Sequence, residues 1–287
     1  MSSLAIPLFK CEVISEDKGR GLIALRHLRR GQRLDSRVGV EDYRFPSVLY
    51  QDQRRLRCAY CFCSLSSSSS SNNRGGNVGE YDDFHRHCSE TCRKLDVHSA
   101  RETNGMIMMK KKAQSAANRM IFPSPPSTLT LFVSRILYDM REAASSSISY
   151  NDSRRQVYDA VDSLATNFEN FCGCKEKYYI IFSGALQWLQ YLETGFASNV
   201  KDENKSFYKR LQCNDYGVEL VAKVMMNCFT ITDGIEPSLG ISLFCRIASM
   251  VNHSCFPNTI QTFDIQRNEP PQVILTICRD VAVSMID

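Results

Sequence analysis

Apolar and polar positions follow different periods in different parts of the chain. Residues 10–28 alternate around glycines and predict a strand, a glycine turn and a second strand, and Arg30-Gly31 predicts another turn before a further short run. Ile241–Ala248 is an apolar run, and Thr259–Phe263 is strand-like. Both ends of the sequence are therefore predicted to be β-rich.

From Leu129 to Cys228, apolar residues recur every three or four positions, which predicts helices. Tyr216 to Thr230 is predicted as the last of them. The stripes are Phe132, Ile136 and Met140; Val157, Val161, Leu164, Phe168 and Phe171, an amphipathic helix of about five turns by its length; and Ala185, Trp188, Leu189 and Leu192. A helical middle between β-rich ends predicts the α+β class.

Composition narrows the class of protein. The 287 residues include 35 Lys+Arg and 31 Asp+Glu, so no strong basic field indicates a nucleic-acid partner. The most apolar window, Tyr178 to Phe196, is interrupted by Gln187, Gln190 and Glu193 and predicts no membrane span. Thirteen cysteines without a secretory signal at Met1 predict reduced thiols in the cytoplasm or nucleus.

Two close pairs of cysteines predict a metal site. Cys58-x2-Cys61 and Cys88-x3-Cys92 are separated by a loop with the serine tract Ser66–Ser71. Each short spacing places two sulfurs on one side of an ion, as a tetrahedral zinc site requires. Four buried or idle thiols are the alternative, and the substitute ligands to consider are His85, His87 and Cys63.

A polar segment follows the apolar run at 241–248. Asn252 and His253 can together bind a polar ligand without adding charge, and Pro257-Asn258 predicts a turn. Alternatively, these side chains cap the turn and satisfy buried backbone groups.

The segment Asn252-His253-Ser254-Cys255-x-Pro257-Asn258 resembles the signature of SET-domain protein-lysine methyltransferases, particularly the branch with an inserted MYND zinc module. The resemblance implies a split SET-type β fold in which this segment forms a pseudoknot beside S-adenosylmethionine. Asn252 and His253 would then bind the cofactor, and the partner would be a histone or another lysine-bearing protein.

Two further segments carry the resemblance. Lys18-Gly19-Arg20-Gly21-Leu is similar to the opening of a SET domain, which implies backbone contacts of Gly19, Arg20 and Gly21 with the methionyl part of the cofactor. By itself, Gly-x-Gly is more often only a hairpin. Asn227-Cys-Phe-Thr230 resembles an Asn-x-Phe-Thr segment and implies a third cofactor contact by Asn227, whose ordinary role would be a helix cap.

The cysteine block resembles a degenerate MYND finger in which Cys58, Cys61, Cys88 and Cys92 hold one structural zinc. The second zinc site of that family is incomplete here, because only Cys63 stands where the family's second cysteine pair is expected and no cysteine follows His98 at the expected distance. The implied organisation is an N-terminal SET half at 1–57, the zinc module at 58–98, a helical insert at 99–238 and a C-terminal SET half at 239–287.

The resemblance is incomplete after Arg279-Asp280-Val281, which is similar to the family's approach to a Gly-Glu-Glu motif and a catalytic tyrosine. Neither follows, nor do the three cysteines that would share a zinc with Cys255. The expectation is a truncated or divergent member with an unknown catalytic residue. A splice form, an incomplete gene model and an inactive homologue all fit. Two functions stay open: S-adenosylmethionine-dependent lysine methyl transfer, and a non-catalytic zinc-stabilised protein-binding module.

Overall fold

The protein is described from a computed structural model. The residues that it describes are 8–15, 19–35, 46–65, 84–115, 126–145, 159, 161–164, 175–194, 216–235, 238–243, 248–251, 254–283 and 285–286. The strands are β1 Phe9–Ser15, β2 Gly19–Ala24, β3 Arg33–Asp35, β4 Ser47–Leu49, β5 Cys228–Ile231, β6 Gly240–Leu243, β7 Thr259–Asp264, β8 Gln272–Ile277 and β9 Met285–Ile286.

The strands form three antiparallel sheets in the orders β1-β2-β9, β3-β8-β7 and β4-β6-β5. Each sheet combines one or two strands from before residue 50 with one or two strands from after residue 227. Gly31, whose φ is +83°, makes the turn before β3, and its N–H donates to the Ile277 carbonyl. The two β-rich ends of the sequence therefore pair with each other.

Helices fill the middle of the chain. They are α1 Glu90–Leu95, α2 Val97–Ser115, α3 Thr128–Ser145, α4 Lys175–Thr194, α5 Tyr216–Asn227 and a short 3-10 helix, Ala248–Met250. The predicted stripes on α3 and α4 are confirmed, because Phe132, Ile136, Met140, Ala185 and Leu189 are fully buried. The mixed α+β class is thus confirmed. Among the described residues, no helix is long and apolar enough to cross a membrane.

The structure differs from the predicted elements at two places, and a third predicted element lies mostly outside the described residues. Gly19 and Gly21 lie within strand β2 and not in a turn, since Gly19 pairs with Ser15 and Gly21 with Glu12. The last helix ends at Asn227 and not at Thr230: Cys228–Ile231 is rich in residues that favour strands and pairs with β6. Most of the helix predicted over residues 157–171 lies outside the described residues, although Val161 and Leu164 are buried.

Two apolar clusters make up most of the core. The larger one joins α3, α4 and α5 and includes Ile241 of β6. The smaller one joins Leu22 of β2 to Ala248 and Met250 of the 3-10 helix, with Phe229 packed against it. Strand β2 and the segment that leads into Asn252 are therefore held in the same core.

Candidate metal centre and candidate cavity

The first half of the cysteine cluster is a tight turn, Cys58–Cys63, which we call the cysteine turn. The N–H of Cys58 donates to the Cys63 carbonyl, and the N–H of Phe62 donates to the Cys58 carbonyl, both at 3.0 Å. Phe62 has a φ of +62°, a backbone conformation that is uncommon outside glycine and asparagine. The turn directs the sulfurs of Cys58 and Cys61 toward the same point.

The second half of the cluster is the beginning of α1. Cys88 precedes the helix and Cys92 lies in its first turn, with Ser89 as the N-cap. The Ser89 Oγ accepts a hydrogen bond from the Cys92 N–H at 3.1 Å, which satisfies one of the backbone donors that a helix start leaves unpaired. The cap thereby fixes Cys92 relative to Cys88.

The four sulfurs are arranged as a tetrahedral ion requires. All four Sγ atoms lie within 4.8 Å of one another, and three of the cysteines are fully buried. Cys61 Sγ and Cys88 Sγ are 3.5 Å apart, and Cys88 Sγ and Cys92 Sγ are 3.6 Å apart. A zinc–sulfur bond of about 2.3 Å gives tetrahedron edges of about 3.8 Å, so the cluster fits zinc. Four thiolates leave no open position, which indicates a structural site.

The electrostatics of the turn favour a thiolate at one position. The pKa of the Cys58 thiol is lowered to about 5, chiefly by the side-chain hydrogen bond with Cys61; burial opposes this, and backbone hydrogen bonds support it. That side-chain hydrogen bond and burial raise the pKa of Cys61. Burial also raises the pKa of Cys92 to about 11. Metal binding therefore has to displace protons from the thiols of Cys61 and Cys92.

The histidines considered as substitute ligands contact carboxylates instead. His85 Nε2 lies 2.6 Å from Glu102 Oε2, and His87 Nε2 lies 3.1 Å from Asp96 Oδ2. Burial lowers the pKa of His85, and the Glu102 carboxylate only partly opposes this. A neutral His85 then donates its N–H to Glu102. The candidate ligand set is therefore the four cysteines.

Glu102 is the centre of a buried polar network beside the cysteine cluster. Arg135 of α3 donates two hydrogen bonds of 2.8 Å to the two carboxylate oxygens of Glu102. It donates a third, of 2.6 Å, to the carbonyl of Ser47, the first residue of β4. Burial raises the pKa of Glu102, but Arg135 and His85 outweigh it and keep that pKa below its usual range. The network ties the segment before Cys88 to α2, α3 and β4.

Two contacts seat the cysteine turn in the rest of the fold. Phe62 is fully buried in a cluster with Leu49, Ile231 and Leu239, and Phe263 at the end of β7 packs against that cluster. Arg57, just before the turn, pairs with Asp233 at 2.7 Å and donates to the Phe62 carbonyl at 3.3 Å. The cysteine turn of the candidate metal centre is consequently packed into the interior of the protein.

A cavity of about 420 Å³ lies between α5, the 3-10 helix and the β7–β8 hairpin. Its lining comprises Met226, Asn227 and Phe229; Ala248, Ser249, Val251 and Ser254; and Pro257, Thr259, Gln261 and Leu275. Small-molecule sites in proteins are typically about 300–1,000 Å³ with an apolar lining and a few polar groups. The size and lining of the cavity therefore fit a ligand of that kind.

Of the residues predicted to bind the cofactor, only some can be located relative to this cavity. Asn227 lines it, and its Nδ2 donates to the Lys223 carbonyl at 2.7 Å. Asn252 and His253 lie outside the described residues, but their neighbours Val251 and Ser254 line the cavity.

The other two predicted features, the Gly19–Gly21 segment and Cys255 of the signature, are not among the residues described as lining the cavity. Gly19, Arg20 and Gly21 are on β2, and the described lining does not include them. Cys255 is exposed.

Several residues that support the candidate metal centre were not predicted from the sequence. Phe62 has no motif, and the ion pair of Glu102 with Arg135 joins two helices across 33 positions. Asn268 contacts the cysteine cluster from 176 positions away. Only Ser89 had a local signal, because a serine directly before Glu90 is a typical N-cap.

Comparison with known proteins adds no relative to this description, since neither a scan against protein-family models nor a search of curated proteins found a match.

Proposed function

We propose that the protein is an S-adenosylmethionine-dependent protein-lysine methyltransferase of the SET and MYND type, with a structural zinc. The observation that carries the proposal is the cavity whose lining includes Asn227, Val251 and Ser254. Asn227 and Ser254 come from two of the three segments that resemble the family's cofactor-binding sequences.

The cavity chemistry is compatible with such a donor. S-adenosylmethionine supplies a methyl group activated by a sulfonium, and the protein has to hold it in line with a neutral lysine amine. Asn227, Ser249 and Ser254 place polar side chains along a wall that Phe229 and Leu275 make partly apolar. The proposal gives Asn227 a binding role and assigns no catalytic residue.

The metal has a separate role in this proposal. Four cysteines complete a tetrahedral set, so zinc at this site does not contact a substrate. It holds the cysteine turn and α1 together, and through Phe62 it supports the sheets beside the cavity.

Titration calorimetry with S-adenosylmethionine and transfer of a labelled methyl group to histones and cell extract test the proposal. We expect the wild-type chain to bind the donor and Asn227→Ala to bind it about tenfold more weakly, the loss of roughly one polar contact. Gln187→Ala is the matched control, because Gln187 is an exposed amide on α4 that does not line the cavity. Absence of binding by the wild type contradicts the proposal.

A second function is a non-catalytic zinc-stabilised protein-binding module, and the closed ligand set of the cysteine cluster favours it equally. It predicts zinc uptake without methyl transfer to any protein in the extract. Methyl transfer that is lost in both Asn252→Ala and His253→Ala excludes this second function.

A further inference from the structure

The tip of the β7–β8 hairpin contacts the metal centre. Asn268 lies in the turn between the two strands, and its φ is +65°. Its Oδ1 is 2.6 Å from Ser89 Oγ and 3.4 Å from Cys92 Sγ. One side chain of the hairpin therefore touches both a candidate ligand and the cap of the helix that carries this ligand.

The contact suits a metal-bound thiolate once the amide is turned. With Cys92 protonated, its S–H can donate to Asn268 Oδ1, which lies 3.4 Å from the sulfur. A metal-bound sulfur has no proton, and a half-turn of the amide exchanges Oδ1 for Nδ2 at almost the same positions. The Asn268 N–H groups can then donate to Cys92 Sγ and to Ser89 Oγ, which are the kind of outer contacts that orient metal ligands.

The same hairpin forms a wall of the cavity. Thr259 and Gln261 of β7 and Leu275 of β8 line it, and Gln261 pairs directly with Leu275. Farther toward the tip, Phe263 packs against the cluster that contains Phe62 of the cysteine turn. The hairpin thus contacts the cysteine cluster directly through Asn268, and through Phe263 it packs against the apolar cluster that includes Phe62.

We propose that Asn268 is a positioning residue that couples the metal centre to the cavity. When the four cysteines hold a metal, the Asn268 amide donates to Cys92 Sγ, and this hydrogen bond holds the β7–β8 hairpin in place. The inference rests on the metal site and not on the identity of the cavity's ligand. It predicts that metal binding stabilises a hairpin that contains none of the ligands.

Zinc affinity of the purified full chain, measured by competition with a chromophoric chelator, is the first test. Asn268→Gly keeps the left-handed backbone accessible and removes only the amide. We expect its zinc dissociation constant to rise about tenfold, the lower end of what loss of an outer-shell partner costs. Gln266→Ala, in the same turn but bonded to Asp264, is the control and should match the wild type.

Asn268→Asp tests whether Asn268 acts by donating a hydrogen bond or only by filling space. Aspartate also tolerates this backbone conformation, but its carboxylate accepts only and repels a thiolate. Zinc should therefore bind Asn268→Asp more weakly than Asn268→Gly. If Asn268→Asp binds zinc as tightly as the wild type, the donor role is overturned.

Hydrogen exchange with and without zinc is the second test. In the wild type, zinc should slow exchange in both α1 and the segment 259–277. In Asn268→Gly at saturating zinc, α1 should remain protected while the hairpin exchanges faster. Equal protection of the hairpin in the two proteins overturns the coupling alone, whereas a wild-type chain that takes up no zinc overturns the metal site and the coupling together. A failure of donor binding affects only the proposed function.

Discussion

The metal centre and the cavity are assembled from the chain in opposite ways. The ligands come in two local pairs, three and four positions apart, whose geometry is set by one turn and one helix start. The residues that line the cavity are spread from Met226 to Leu275, and they belong to several different helices, strands and loops. Local spacing can therefore predict a metal site, whereas a cavity depends on how elements pack.

Burial sharpens the difference. The cysteine turn is anchored by the buried Phe62 and by the Arg57–Asp233 pair, and the buried Glu102–Arg135 pair contacts His85 in the segment before Cys88. Asn227 and Gln261, in contrast, are on partly or fully exposed positions. We therefore expect changes at the metal centre to affect the whole fold and changes in the cavity to remain local.

The largest expected effect is loss of the metal. Cys61→Ser should reduce zinc from about one ion per chain to nearly none, because a three-thiolate site loses much of its affinity. Zinc content by mass spectrometry and the thermal midpoint check this together. Cys11→Ser, an exposed cysteine on β1, is the control and should retain the metal. If the wild-type chain without metal had the same thermal midpoint as the zinc-loaded chain, the metal centre would not support the fold as this comparison requires.

Arg135→Met is expected to be the next most damaging change. It leaves the fully buried Glu102 without its cation, and such a loss costs about 3–5 kcal/mol of the free energy of unfolding. Urea denaturation measures it. Arg93→Met, which removes an arginine from an exposed pair on α1, should give no measurable change.

The same network predicts a pH dependence. Because the folded pKa of Glu102 is depressed, its contribution to stability is present above the unfolded value of about 4 and is lost as the pH falls below it. Glu102→Gln should therefore cost about 2 kcal/mol at neutral pH, and the cost should shrink below pH 4. Denaturation of both proteins from neutral pH to about pH 3 is the measurement; a constant difference would contradict the assignment.

The smallest expected effect comes from the cavity. Asn227→Ala removes one hydrogen bond to the Lys223 carbonyl, which is worth about 1 kcal/mol, and should leave the zinc content unchanged. Zinc analysis beside a thermal melt tests both points. Loss of zinc in this variant would show that cavity and metal centre are not separable from the α5 side.

Particular residues show how far prediction reached. The helical stripes of α3 and α4 were predictable because burial follows a period that the sequence displays. The end of α5 was not, since Cys228–Ile231 becomes a strand only by pairing with β6. The glycines of β2 were assigned to a turn because Gly-x-Gly has the same local signal in a hairpin turn and at a strand's beginning.

The sequence alone indicated the two cysteine pairs, the helical middle and the strand-forming ends, because each shows in the spacing or period of residues that are near neighbours in the chain. The tertiary structure decided that β3 pairs with β8, that Phe62 packs against the sheets and that Asn268 reaches Cys92. Those contacts join residues far apart in the chain, and their free energy comes from burial and pairing that no single segment can make by itself.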